Sequence, residues 1–188
     1  MSRILRRLEL VEDDWVAIGL PVVAAAAGTA ADAPRPAADP QRPAADEFRS
    51  DTEAVIVPFV KFREHPETWS AREGRLGVRL APADKVEDLA PHLSRLALVA
   101  VEFTGPGEGR GYTQAKLLRQ RYKFTGEVRA VGHVKQDQVY LMSRVGIDSF
   151  ELSASEKPEE ALATLERFKV AYTPGAPLRS LSRERFHV

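Results

Sequence analysis

The stretch Leu96-Ala97-Leu98-Val99-Ala100-Val101-Glu102-Phe103 runs directly into Thr104-Gly105-Pro106-Gly107-Glu108-Gly109-Arg110-Gly111, and then into Tyr112-Thr113-Gln114-Ala115. A nearly unbroken apolar run of this length, closed by a glycine-rich turn, reads as a strand buried on both faces, as strands of parallel sheets are. The segment that follows from Tyr112 reads as a helix, and a second apolar run stands at Val128-Arg129-Ala130-Val131-Gly132. Strand, turn, helix and strand in that order form a β–α–β unit, which joins parallel neighbours.

Working outward, Val55–Phe59, Leu76–Leu80 and Ser149–Leu152 supply further strands, and helices start near Asp84, Tyr112, Val134 and Pro158. Asp84 and Glu87 have capping-box spacing, and Pro91 keeps that helix short or bent. Val134, Leu141, Met142 and Val145 form an apolar stripe with Gln138 near its middle, and Ala161, Leu162, Leu165 and Phe168 face inward on the last helix. The expected fold is α/β: a mostly parallel sheet of about five strands with flanking helices. An open doubly wound sheet is favoured slightly over a partial β/α barrel, because a closed eight-fold barrel typically needs about 250 residues.

Four regions follow from composition. Residues 1–23 mix apolar and charged side chains around Trp15 and are expected to form a strand or hairpin. Residues 24–48 are dominated by Ala, Pro, Asp and Arg, and Arg35-Pro36-Ala37-Ala38-Asp39 recurs as Arg42-Pro43-Ala44-Ala45-Asp46. Such a stretch buries too little to offset its ordering entropy and is expected to be a flexible linker. Residues 49–172 form the α/β domain, and residues 173–188 a tail.

The 188-residue chain is large enough for one core that needs no metal or disulfide. It has no cysteine, which excludes disulfides, thiolate zinc sites, cysteine-ligated iron–sulfur clusters and cysteine nucleophiles. Any redox role requires a bound cofactor, whose identity is undefined by the sequence, or a partner. Lys plus Arg and Asp plus Glu are both 27, so no global field draws the chain to nucleic acid. Lys116, Arg119, Arg121 and Lys123 lack an aromatic platform and read as a solvated helix face. The apolar run from Val16 to Ala27 is too short to span a bilayer and follows acidic residues, unlike a secretion signal. The expected location is the cytoplasm, with no membrane partner.

Ligands of open parallel sheets bind beyond the carboxyl ends of the strands. There the Gly109-Arg110-Gly111 turn offers backbone N–H groups and a guanidinium, a candidate anion cradle. Neither the dinucleotide fingerprint nor the phosphate-loop pattern is met, and a plain tight turn is the alternative. Arg129 shares a strand face with Val131 and His133, and Asp137 and Gln138 lie one turn into the next helix. Arg129 therefore either lines a pocket or forms a buried ion pair with Asp137 or another carboxylate. His133 is a candidate proton carrier, and Glu102 and Glu151 converge with it if their strands are neighbours. The four histidines, His65, His92, His133 and His187, have no zinc-ligand spacing, and no metal site is expected.

Gly109-Arg110-Gly111-Tyr112-Thr113-Gln114-Ala115, continuing through Leu118-Arg119, Tyr122 and Gly126-Glu127-Val128-Arg129-Ala130-Val131-Gly132, resembles the signature of a bacterial domain family of unknown function. Asp137-Gln138, Arg144, Gly146, Asp148 and Phe150 continue the match. Asp13-Asp14-Trp15 and Arg75-Leu76-Gly77-Val78-Arg79-Leu80 resemble family positions more loosely. Members are commonly described as oxidoreductases of sulfite reduction. Their genes stand beside those for sulfite reductase and for adenylylsulfate or phosphoadenylylsulfate reductase, which the resemblance implies as partners. It further implies a place in assimilatory sulfate reduction, as an oxidoreductase component with an anion pocket of Arg110, Arg129 and Gln138, or as a non-catalytic assembly or electron-delivery partner. A barrel fragment with a purely structural role is the third reading. Members usually carry Asp at positions 108 and 133, where this chain has Glu108 and His133. The second change removes a charge.

Overall fold

The computed structural model describes residues 3–6, 9–18, 52–105 and 107–167. The N-terminal segment supplies three strands, β1 (Arg3–Arg6), β2 (Glu9–Glu12) and β3 (Val16–Ala17). The five expected strands follow as β4 (Val55–Pro58), β5 (Leu76–Leu80), β6 (Leu98–Phe103), β7 (Glu127–Gly132) and β8 (Ser149–Phe150). All eight join one sheet, which exceeds the five strands expected because the N-terminal segment adds three to it, in the order β2-β1-β8-β7-β6-β5-β4-β3. From β3 to β8 the strands are parallel neighbours in chain order, while β1 and β2 add antiparallel beside β8.

A strand order that never reverses, with right-handed crossovers, puts every helix on the same face. The helices are α1 (Phe59–Glu64), α2 (Pro66–Ser70), α3 (Val86–Leu89), α4 (Arg110–Lys116), α5 (Val139–Arg144) and α6 (Pro158–Arg167). Their side chains, including Phe62, Trp69, Leu89 and Met142, share one core with Val57, Val78, Val101, Ala130 and Phe150. The strand residues of opposite parity, Ile56, Leu98, Ala100 and Val131, form a second cluster with Trp15, Ala54 and Ala97, which no helix among the described residues joins. A doubly wound sheet would need helices on both faces, so of the two expected arrangements the partial barrel is the one formed.

Chain length shows how strongly the sheet curls. Strands β2 and β3 lie at opposite edges, yet Glu12 and Val16 are separated by only Asp13, Asp14 and Trp15. Four residue steps span at most about 14 Å. The outermost strands of a flat eight-stranded sheet would stand about 34 Å apart. The sheet must therefore roll until its edges nearly meet. Its helix-free face becomes the concave interior, and residues 13–15 become a strap from one edge to the other.

Several local expectations shift. Asp84 does not cap α3; its carboxylate accepts the Ala81 N–H at 2.7 Å, closing the turn before the helix. Helix α3 stops at Leu89 and continues as a 3-10 turn through Pro91, as that proline requires. A 3-10 turn at Gln136–Gln138 precedes α5 and changes the helical phase, so Val139 and Met142 are buried while Leu141 faces solvent. Helices α1 and α2 were not expected; each is one turn or two long and is held by Phe59, Phe62 and Trp69. Ala161 and Leu165 of α6 point inward as expected. Phe168, the linker at 24–48 and the tail at 173–188 lie outside the described residues. No described helix is long and apolar enough to cross a membrane.

Candidate functional site

Alternation along each strand decides what faces the interior. In β5, Leu76, Val78 and Leu80 join the helix-side core, leaving Gly77 and Arg79 on the concave face. The register then aligns Arg79, Ala100, Arg129, Ser149 and Arg6 in one row across five strands. Glu102 and Val131 form the next row toward the carboxyl ends. Glu151 follows β8 with the parity of Ser149 and bonds its N–H to the Ala130 carbonyl at 2.9 Å. Because β6, β7 and β8 are neighbours, Glu102 and Glu151 flank Val131 on the same face. Gly132 has a φ of +90°, which ends the alternation of β7 before His133.

Arg129 is only 1 % exposed and lies at the centre of this face. Its Nη1 donates to both oxygens of Asp13, at 2.9 and 3.0 Å. Its Nε and Nη2 donate to Glu127 Oε1 at 3.2 and 3.0 Å, and the Ser149 hydroxyl donates to the same oxygen at 2.6 Å. Arg6 Nη2 stands 2.7 Å from Glu127 Oε2. The expected ion pair of Arg129 with a carboxylate exists, but the partners are Asp13 and Glu127, not Asp137. Removing one partner of such a buried pair typically costs about 3–5 kcal/mol.

The strap that delivers Asp13 is seated by its neighbours. Asp14 pairs with Arg75, whose guanidinium also lies 5.0 Å from the centre of the Trp15 ring. Partial burial pushes the Asp14 carboxyl up, but the Arg75 hydrogen bond and charge outweigh it and hold it below the usual range. Trp15 rests over Gly77, where an added Cβ would come within 3.2 Å of Ile56, Leu98 and Trp15 alike.

Nearer the mouth, Glu102 pairs with Arg79 at 2.8 Å. The Glu151 carboxylate forms no hydrogen bond or salt bridge among the described residues. Although it presents an edge to solvent, the surrounding protein raises its pKa above the usual carboxylate value. Arg129 opposes that rise, Asp13 adds to it, and Arg79 opposes it. A carboxyl that touches solvent and is still crowded by protein is what a concave surface produces.

The other candidates sit in the loops beyond β6 and β7. Arg110 is exposed and bonds to Glu108 through Nε and Nη2 at 2.9 and 3.0 Å, which holds the Glu108 carboxyl below its usual range. Gly109 is open, whereas a Cβ at Gly111 would fall 2.7 Å from the Phe103 ring, so this glycine lets α4 close onto β6. Burial raises the Tyr112 pKa and the charge of Asp137 raises it further. Gln138 turns back to accept the Lys135 N–H at 3.4 Å. His133 bonds through its backbone to the Phe103 carbonyl at 2.6 Å, and its buried Nδ1 has no partner. Arg110 and Arg129 thus engage different carboxylates and share none.

Much of the sequence signature serves packing. Gln114 spans to the Ala81 and Asp84 carbonyls, at 2.9 Å each. Arg119, expected on a solvated face, instead pairs with Asp148 and donates to the carbonyls of Phe124, Gly126 and Gly146. It lies in the π-helical extension of α4, Leu117–Arg121. Sequence reasoning singled out neither Arg79, Glu127 nor Asp13 as a site residue. The signal of Arg79 and Glu127 is a charge of one strand parity in an otherwise apolar strand, as in Glu127 and Arg129, whereas Asp13 lies outside any strand and carries no such signal. No group of three or more His, Asp or Glu among the described residues is placed to hold a metal ion.

Comparison with curated proteins returns no match. Residues 77–180, more than half of the chain and the part that runs from β5 through α6, match a family described as bacterial protein of unknown function (DUF934), and the chain belongs to that family.

Proposed function

We propose that this protein is an accessory component of assimilatory sulfite reduction, acting by association with sulfite reductase or with adenylylsulfate or phosphoadenylylsulfate reductase. The pathway rests on the sequence resemblance. The accessory role rests on one observation: each cation of the expected anion pocket already carries a protein carboxylate, Arg110 that of Glu108 and Arg129 those of Asp13 and Glu127. An oxidoreductase component that holds sulfite between Arg110, Arg129 and Gln138 would need these groups to converge with unspent donors. They engage separate partners, and Gln138 serves its own turn.

Growth of a deletion strain on sulfate, sulfite, sulfide or cysteine tests the pathway, and gel filtration with purified sulfite reductase tests the role. Rescue by sulfide but not by sulfite, complementation by Arg110→Ala, and co-elution with the reductase are expected. Equal growth on all four sources, with no redundant gene, removes the pathway assignment. Reduction of sulfite by the isolated protein with an artificial electron donor removes the accessory role.

A further inference from the structure

Two buried donors near Arg129 are left over: among the described residues the Nε–H of Arg6 and the Nε1–H of Trp15 find no acceptor, and the buried acceptor beside them that lacks a hydrogen bond, Glu127 Oε2, already stands 2.7 Å from Arg6 Nη2. Arg6 is one ion pair away through Glu127, and Trp15 is two residues beyond Asp13 on the same strap. Buried N–H groups normally find acceptors, so unspent donors around a buried guanidinium favour a species that only accepts. Asp13 supplies two acceptor oxygens on Nη1 from a three-residue link between short strands. Its departure would break no hydrogen bond between β4, β5, β6, β7 and β8.

We propose that Arg129 is the centre of a binding site for a small oxyanion, such as sulfite, sulfate or a carboxylate, and that Asp13 is a built-in surrogate that holds the site shut. An incoming oxyanion takes the place of the Asp13 carboxylate on Nη1, one negative charge for one where the ligand is a carboxylate or hydrogen sulfite and one more where it is sulfate, and the strap carrying Trp15 lifts from Gly77. Because Asp13 is tethered, it competes at a high effective concentration, so the wild type binds free oxyanions weakly and an Asp13 variant binds them better. This site takes Arg129 alone of the expected pocket and leaves Arg110 with Glu108, so binding here is read by titration, while the accessory role is read separately by co-elution with the reductase and by the absence of sulfite reduction.

The test is a titration of the full chain with sodium sulfite, sulfate and formate against chloride at constant ionic strength, read by Trp15 emission in a Trp69→Phe background and by calorimetry. The proteins are the wild type, Asp13→Ala and Asp13→Asn; the amide retains an acceptor for the Trp15 backbone N–H now bonded to Asp13 at 3.4 Å. Saturable binding to the variants at least tenfold tighter than to the wild type, with none by chloride, is expected. At high oxyanion concentration the wild type should show the same change in Trp15 emission. Equal affinity in wild type and variants overturns the proposal, as does loss of binding when Arg110→Ala is added to Asp13→Asn. Variants that stay unfolded even with oxyanion present also overturn it, since an occupant of the site should restore the fold.

Discussion

Arg119 shows how one side chain can decide the geometry of several loops. It ties the carbonyls of Phe124, Gly126 and Gly146 to Asp148, and Asp148 also accepts the Val128 N–H at 3.0 Å. Gly146 has a φ of +99°, and a Cβ there would lie 2.5 Å from Arg119 Cγ. Gly146→Ala should therefore destabilise by about 1–3 kcal/mol from backbone strain, with the clash in addition. Thermal unfolding checks this, at roughly 2–4 °C per kcal/mol for a chain of this size. Adding Arg119→Ala should cost less than the sum of the single changes, because it removes the atoms that collide.

Glu151 belongs to the same scale. Its folded pKa is raised, so between the ordinary carboxylate value and the raised one the native state holds more protons than the unfolded state. Stability from this group is present below the ordinary value and is lost as pH rises through the raised one. Glu151→Gln should then raise the melting temperature near neutral pH and lose that advantage in acid. A variant equal to wild type at neutral pH would show that the crowding of this carboxyl has no cost.

At the scale of elements, the strap is the least legible feature in sequence and the one that completes the interior. Residues 13–15 connect strands of four and two residues, too short to show a period. Asp13 meets Arg129 from 116 positions away. The close seat of Trp15 over Gly77 gives this element its test. Gly77→Val places branched carbons where the indole lies, and overpacking of this kind typically costs about 1–3 kcal/mol. Trp15 emission should shift to the red as the ring is displaced. An unchanged spectrum would mean that the strap is not seated by this contact. The β–α units themselves were far more legible, since Val99, Val101, Val128 and Ala130 are apolar in the alternation that a helix-covered sheet demands.

For the whole molecule, the strand order makes the N-terminal hairpin part of the same sheet as β4 to β8, with Leu5 paired to Phe150. Trp15 on the strap and Trp69 on α2 report from opposite faces of that sheet. If the curled sheet is one cooperative unit, urea unfolding followed in Trp15→Phe and in Trp69→Phe should give coincident transitions, each matching far-ultraviolet circular dichroism. A Trp15 transition at lower urea would show that the strap and its strands open separately.

Local pattern was sufficient for the α/β class, for the five parallel strands and for the family, because apolar alternation, glycine turns and a contiguous motif are properties of neighbouring residues. The expected pairing of Arg129 with a carboxylate was also legible, since a charge in an apolar strand must find a partner. One of its two carboxylates, Glu127, is two residues away on the same strand and within local reach. The other was decided by tertiary structure alone: Asp13 meets Arg129 only after eight strands have rolled until their edges nearly touch. Tertiary structure also separated Arg129 from Arg110, because one side chain points into the concave face and the other stands exposed at the start of α4. No interval in the sequence encodes that separation; it follows from where the fold directs each side chain.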